Sequence, residues 1–316
     1  MNTKTPTDPR AARICGLSLL ATCLLWCSQA TLASATPAAS HNPGLSTSAA
    51  LRGQLVDQRE FHPQACGPCA MYHALLFGGP TAREVLQSLP GNQPQDKVGH
   101  LIRTYGALPS TMRVAKPMLH ERGMHWQDAG VLMNAVLHDH GGPTLASGYL
   151  QREPDDDHLT HLRKVHRLLA ASLEAGWPPV ISLRGYVARH DARRGGVVWQ
   201  DGRSHYVALI ELGDLAHDED SGFMFRYIES FRAGRQQGFV HIERQRDFQA
   251  QTTFGPLGEW VGDAPFLTVT APFMRMIETE APLHLRSVVT LHHAIVFRAE
   301  DHGAPGGPTS PSRTTE

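Results

Sequence analysis

The hydrophobic pattern changes period near the middle of the chain. Before that point the signals are helical. Thr81-Ala-Arg-Glu84 spells a capping box closed by Pro90-Gly91, and Asp96 caps a helix that Gly106 stops. Gln127 to His140 runs into Gly141-Gly142, and a longer helix from about Asp157 to Ala175 ends at Gly176. After it come Pro179 to Leu183, His205 to Ile210, Phe223 to Ile228, Phe266 to Thr270 and Ser287 to Leu291. These are short runs rich in β-branched and aromatic residues, bounded by Gly, Pro or charge, and they read as strands. Helices followed by strands predict an α+β fold with an antiparallel sheet rather than an alternating βα order.

The ends carry a different pattern. Lys4, Arg10 and Arg13 precede the apolar stretch Ile14 to Trp26, and Ala33-Ser34-Ala35 has the small-x-small form of a cleavage site, so residues 1–35 read as a removable signal peptide. Residues 36–50 and 300–316 are Ser-, Thr-, Ala- and Pro-rich with little to bury, and are expected to be a disordered linker and a disordered tail. Residues 51–299 then form one catalytic domain. Cleavage after Ala35 leaves 26 basic against 29 acidic residues, a formal charge of −3, in an exported, periplasmic or secreted protein with no further membrane segment. Whole-chain charge is equally balanced, 29 against 30, which excludes the footprint of a general nucleic-acid binder.

Export sharpens the cysteine arithmetic. Cys15, Cys23 and Cys27 leave with the signal, and only Cys66 and Cys69 remain, three apart. A disulfide framework is excluded; a redox pair or a catalytic thiol with a neighbour is left. Both lie in Gln64-Ala-Cys66-Gly67-Pro68-Cys69-Ala-Met-Tyr-His-Ala-Leu-Leu-Phe-Gly78-Gly79, a cysteine opening a helix that a glycine pair closes. Unpaired amides and the macrodipole at a helix start favour a thiolate, lowering the pKa of Cys66, and the same amides can hold a developing oxyanion.

At this stretch the sequence resembles the papain-like cysteine peptidase superfamily, in its C39-like and phytochelatin-synthase-like branches. Cys66-Gly67-Pro68 and Gly78 match, and the likeness resumes through Gly176-Trp-Pro-Pro179, Val180 to Leu183, Ser204-His205-Tyr-Val-Ala-Leu and Phe225-Arg-Tyr-Ile-Glu229-Ser230. It covers residues 55–85 and 162–250. It implies a papain-like cysteine peptidase fold, with an N-terminal helical half carrying the nucleophile and a C-terminal antiparallel sheet half. It also implies Cys66 as nucleophile, His205 as base and Glu229 as the group orienting the imidazole, with Ser230 as the alternative third member. Gln58 is the implied side-chain donor to the oxyanion and Gln64 its rival; the register of papain itself selects Cys69 as nucleophile instead. Amide hydrolysis through an acyl-enzyme on a peptide or small amide follows, with acyl transfer to another acceptor as a variant and no cofactor.

Other readings compete. Cys-Gly-Pro-Cys also resembles the thioredoxin tetrapeptide, with Pro109 near that family's cis-proline, which makes a thiol-disulfide oxidoreductase the alternative; a binding protein on the same fold is another. Segment 57–65 is too polar and proline-broken for the strand a thioredoxin needs before its motif. His190-Asp191 offers a rival base. His158, His161, His166 and His138-Asp139-His140 read as solvated faces without metal-ligand convergence, Asp155 to Asp157 as a helix start, and the five arginines from Arg184 to Arg203 as a flexible solvated loop, with attraction of an acidic substrate group as the alternative.

Overall fold

The computed structural model describes residues 51, 53–191, 196–216, 222–242, 266–271 and 287–298. The signal, linker and tail readings lie outside these residues. Helices α1 (Cys66–Phe77), α2 (Pro80–Ser88), α3 (Pro94–His100), α4 (Trp126–Asp139) and α5 (His158–Glu174) precede most of the strands. Strands β1 (Leu119–His120), β2 (Gly123–Met124) and β3 (Ala146–Tyr149) lie among them. Strands β4 (Val180–Asp191), β5 (Gly196–Leu212), β6 (Gly222–Glu229), β7 (Gly234–His241), β8 (Leu267–Thr270) and β9 (Ser287–Val296) follow.

The sheet corrects the expected architecture. Its order is β3-β9-β4-β5-β6-β7-β8, and β8 pairs back onto β9, so six antiparallel strands close into a barrel. One edge of β9 runs along β4; the other is divided between β8, at Thr290 and Leu291, and β3, from His293 to Val296. The papain-like arrangement of a helical half against a sheet half is therefore not the fold of this chain. Closure depends on β9 meeting β8 through two residue pairs, and no period or turn signal encodes so distant a contact.

The two faces of the strands bury different partners. Ile181, Leu183, Val207, Leu209, Phe223, Phe225 and Tyr227 pack with Leu162, Val165, Leu169 and Leu173 of α5. Alternate positions Tyr206, Ala208, Ile210 and Ile228 pack with α1, α2 and α4, as the period of two requires. Every residue of α1 is buried, the condition of a helix apolar on all sides and enclosed by the rest of the molecule. Its one histidine, His73, accepts the Val56 N–H at 3.2 Å, and burial depresses its pKa to about 3. Past α1 the chain passes close to Gly176, whose φ of 79° few other residues adopt and whose carbonyl takes the Gly79 N–H at 2.7 Å.

Local readings fared unevenly. The capping box at Thr81 is displaced: α2 starts at Pro80 on Gly79, without a side-chain cap. Asp96 works inside its helix rather than before it, its carboxylate accepting the Gln93 N–H at 3.1 Å as the N3 half of a capping box. Asp157 caps α5 by accepting the Thr160 N–H at 2.6 Å. The arginine-rich segment is a hairpin of β4 and β5 rather than a loop, with Tyr186 and Trp199 buried on it together with Val288.

Candidate active site

Cys66 is the first residue of α1, and no side chain caps that helix. The first-turn amides are thus left for whatever stands at the end of the helix. His205 and Glu229 come from strands. Ala208 stands opposite Ile228; one step further Glu229 ends β6, and His205 lies diagonally across from it on the same face. The start of α1, the middle of β5 and the end of β6 meet at one point.

There the His205 Nε2–H donates to Glu229 Oε1 at 2.8 Å, with both side chains buried. The same oxygen accepts the Phe231 N–H at 2.7 Å, which fixes the carboxylate. The other face of the imidazole is hydrogen-bonded to Cys66; with Nε2 committed to Glu229, Nδ1 is the nitrogen left for the sulfur. Burial is the largest influence on the Cys66 thiol and opposes its ionisation. The hydrogen bond and charge of His205, with the backbone N–H groups of Tyr206 and Gly67, together outweigh it and hold the pKa below the ordinary thiol value. Burial likewise opposes protonation of His205, yet Cys66 and Glu229 push its pKa up to about 9. The pair favours thiolate and imidazolium.

Gln58 and Ser230 are tied together. Gln58 is buried; its N–H donates to Ser230 O at 2.9 Å and its Oε1 accepts from Ser230 Oγ at 2.8 Å. Its Nε2 donates to Pro63 O at 2.7 Å, and one amide hydrogen remains. Ser230 positions Gln58 rather than the imidazole. Gln64 also faces the cleft, across from Gly123. Cys69 is fully buried, with its thiol pushed well above the ordinary value by burial first and then by Cys66, Asp57 and Glu60; both cysteines are free thiols.

Remaining candidates scatter. Pro109 is trans and pairs with Pro117 in an isolated bridge. The segment before Cys66 holds a 3₁₀ turn, Gln58–Glu60, and no strand. His190 and Asp191 lie in β4, with side chains outside the described ones. His161 is buried inside α5 rather than solvated, and His166 meets Gly213 O at 2.9 Å. Among the described residues no three His, Cys, Asp or Glu gather as metal ligands, and no helix is long and apolar enough to cross a membrane.

Cys66, His205 and Gln58 open onto a cleft of about 360 Å³. Sequence reasoning missed most of its walls. Trp126 and Tyr149 stack tilted at 4.5 Å, and His292 lies 4.9 Å from Tyr149, ring to ring. Arg113, Arg122, Arg184 and Arg203 also line it. A signal that could have found Arg184 is the alternation Ser182-x-Arg184 within β4, the strand paired with the one that carries His205. Comparisons with protein-family models, with curated proteins and with solved structures return no match to this chain.

Proposed function

We propose that this protein is a thiol hydrolase that cleaves an amide bond of a peptide or small amide through an acyl-enzyme on Cys66. The observation that carries the reading is the buried chain from the Cys66 sulfur through the His205 ring to Glu229, at an uncapped helix start facing a cleft. The likeness of the cysteine and histidine motifs to papain-like peptidases supports the same chemistry, independently of architecture.

The thiolate of Cys66 attacks the substrate carbonyl carbon. The negative charge that develops on the carbonyl oxygen is met by amides of the first turn of α1 and by the remaining Gln58 hydrogen. Imidazolium His205 gives its proton to the departing amine as the carbon–nitrogen bond breaks, leaving a thioester. Neutral His205 then takes a proton from water, the hydroxide displaces Cys66, and the imidazolium–thiolate pair returns. Glu229 holds the ring in one tautomer and stabilises its positive form. An amine in place of water makes the same route an acyl transfer. The steps are complete with these side chains and require no cofactor. The signal read at residues 1–35 supports an exported enzyme, which N-terminal sequencing of the mature protein checks at Thr36.

An acetyl ester with a nitrophenol leaving group tests the reading. We expect a burst of about one equivalent of nitrophenol and an acetyl adduct on Cys66 by mass spectrometry. The burst should vanish in Cys66→Ser and His205→Ala but persist in Cys69→Ala. Equal loss in the Cys66 and Cys69 variants would instead favour a dithiol oxidoreductase.

A further inference from the structure

We propose that the cleft receives an aromatic group carrying a hydrogen-bonding substituent, as a phenol does, with Trp126 and Tyr149 as its bed and His292 as its polar partner. This names a substrate class for the thiol-hydrolase site and rests on that reading.

The sheet builds the wall. Both ladders of β4 break beside the active site. Between the pairs Arg184↔Ser204 and Tyr186↔Asp201, one residue of β4, Gly185, faces two of β5, Gly202 and Arg203. On the other edge, Ser182 pairs with His293 and Leu183 with Leu291, so His292 is the extra residue. A bulge re-aims side chains. Leu291 and Ala294, three apart, both pack into the cluster around α5, which leaves the adjacent His292 and His293 together on the other face. Ring distances agree: His293 lies 5.0 Å from Trp126 and His292 4.9 Å from Tyr149, while Trp126 and Tyr149 are 4.5 Å apart.

The nucleophile anchors the other end of this wall. The Tyr206 N–H donates to the Cys66 sulfur, and a Cβ on the next residue, Gly67, would lie 3.4 Å from Met124 Sδ and 3.8 Å from the Tyr206 ring. That ring stands 6.4 Å from His293. Rings therefore run without a break from the residue that holds the sulfur to Trp126. Met124, His125, Trp126, Tyr149 and His292 line one cleft with Cys66 and His205. Trp126 is held there as the first residue of α4, whose cap is the His125 ring, accepting the Gln127 N–H at 3.4 Å.

His292 gives the ligand its polar requirement. It is 3% exposed and lines the cleft, and among the described residues no group hydrogen-bonds its ring. Burial first, then Arg184, His293 and His125, hold its pKa well below the ordinary imidazole value, so the neutral ring has one N–H to give and one nitrogen to accept with. A buried polar group of this kind is completed by a ligand that pairs with it and penalises one that does not. Trp126 is half-buried and Tyr149 39% exposed, which leaves ring surface for stacking. A cleft of about 360 Å³ takes a small molecule or one side chain rather than a folded partner.

Nitrophenyl esters of acetate, cyclohexylacetate, phenylacetate and 4-hydroxyphenylacetate read the cleft. Each burst rate is divided by the rate of the same ester with a small free thiol, which removes intrinsic reactivity. Relative to acetate, phenylacetate should gain about tenfold and cyclohexylacetate at most about threefold, and the hydroxyl should add about tenfold to the phenyl ester. Trp126→Leu should cut the phenyl gain about fivefold. His292→Phe, which keeps a ring against Tyr149, should abolish the hydroxyl increment and retain the phenyl gain, and His292→Gln should restore part of the increment; Arg163→Gln on α5 should change neither. A cyclohexyl ester as fast as the phenyl one, or increments indifferent to both Trp126 and His292, would overturn the proposal. Calorimetry on Cys66→Ser needs no reactive sulfur and should show 4-hydroxyphenylacetamide binding about tenfold more tightly than phenylacetamide. No burst with any ester would count against the thiol hydrolase, whereas equal binding of the two amides would count against the aromatic subsite.

Discussion

His205 is gripped from two sides, and each grip has its own pH signature. Its pKa near 9, with a thiol held below the ordinary range, predicts a bell-shaped kcat/KM. The acid limb marks formation of the thiolate, and the alkaline limb, near pH 9, marks loss of the imidazolium proton. Glu229→Gln keeps an acceptor for Nε2–H and removes the charge, so the alkaline limb should move down by about 1 unit or more. An unmoved limb would show that the carboxylate does not act on the ring electrostatically. Glu229→Ala frees the ring as well and should lower kcat/KM about 10²-fold or more. At this scale the sequence was largely legible. Cys66, His205, Glu229 and Gln58 were separated by up to 171 positions and do converge; the start of α1 at Cys66 and the end of β6 at Glu229 announce themselves locally, whereas His205 lies inside β5 and Gln58 in a 3₁₀ turn. Arg184 and Arg203 were read as part of a loop, since charge alone does not show that they stand on paired strands beside the cleft.

Among the elements, β5 depends on its irregularity. Gly202→Ala places a methyl against the Gly185 carbonyl, and the strand must shift to relieve it. Overpacking of this kind costs about 1–3 kcal/mol, measurable by urea unfolding. The ester burst should decline by more than stability alone explains, because His205 is three residues away. An unchanged burst and midpoint would remove the bulge from the account of the site. The helices and five of the strands could be read because their periods are local. Strand β7, Gly234–His241, was missed because Gly-Arg-Gln-Gln-Gly carries no apolar alternation, and β3 was missed because Ala-Ser-Gly-Tyr is short and half-buried. What makes them strands is a neighbour's open edge rather than their own composition.

For the molecule as a whole, closure was the part the chain did not disclose. The eye follows helices, then strands; only the return of β8 onto β9 turns the sheet into a barrel. The enclosed interior also stores a pH dependence. Burial holds His73 and His293 to pKa values of about 3 and His161 to about 4. Unfolded, each would titrate near 6.5, so the unfolded chain binds more protons below that value. Their contribution is full above pH 6.5 and is lost progressively as the pH falls toward 3. Melting temperature should therefore drop steeply between pH 6.5 and 4.5; a flat profile would mean that these rings are hydrated. His205 acts in the opposite sense, its contribution fading as the pH rises through about 9.

The position of β9 has a consequence for timing. Cys66, His205 and Glu229 have all been synthesised before residue 287, yet His292 belongs to the last described strand, which also pairs with one edge of β4 from Val180 to Val187. A nascent chain that stops short of it holds its reactive groups on an unfinished wall. Ribosome-stalled lengths ending before Ser287 should stay inert toward the ester, and competence should arrive abruptly once Val296 has emerged.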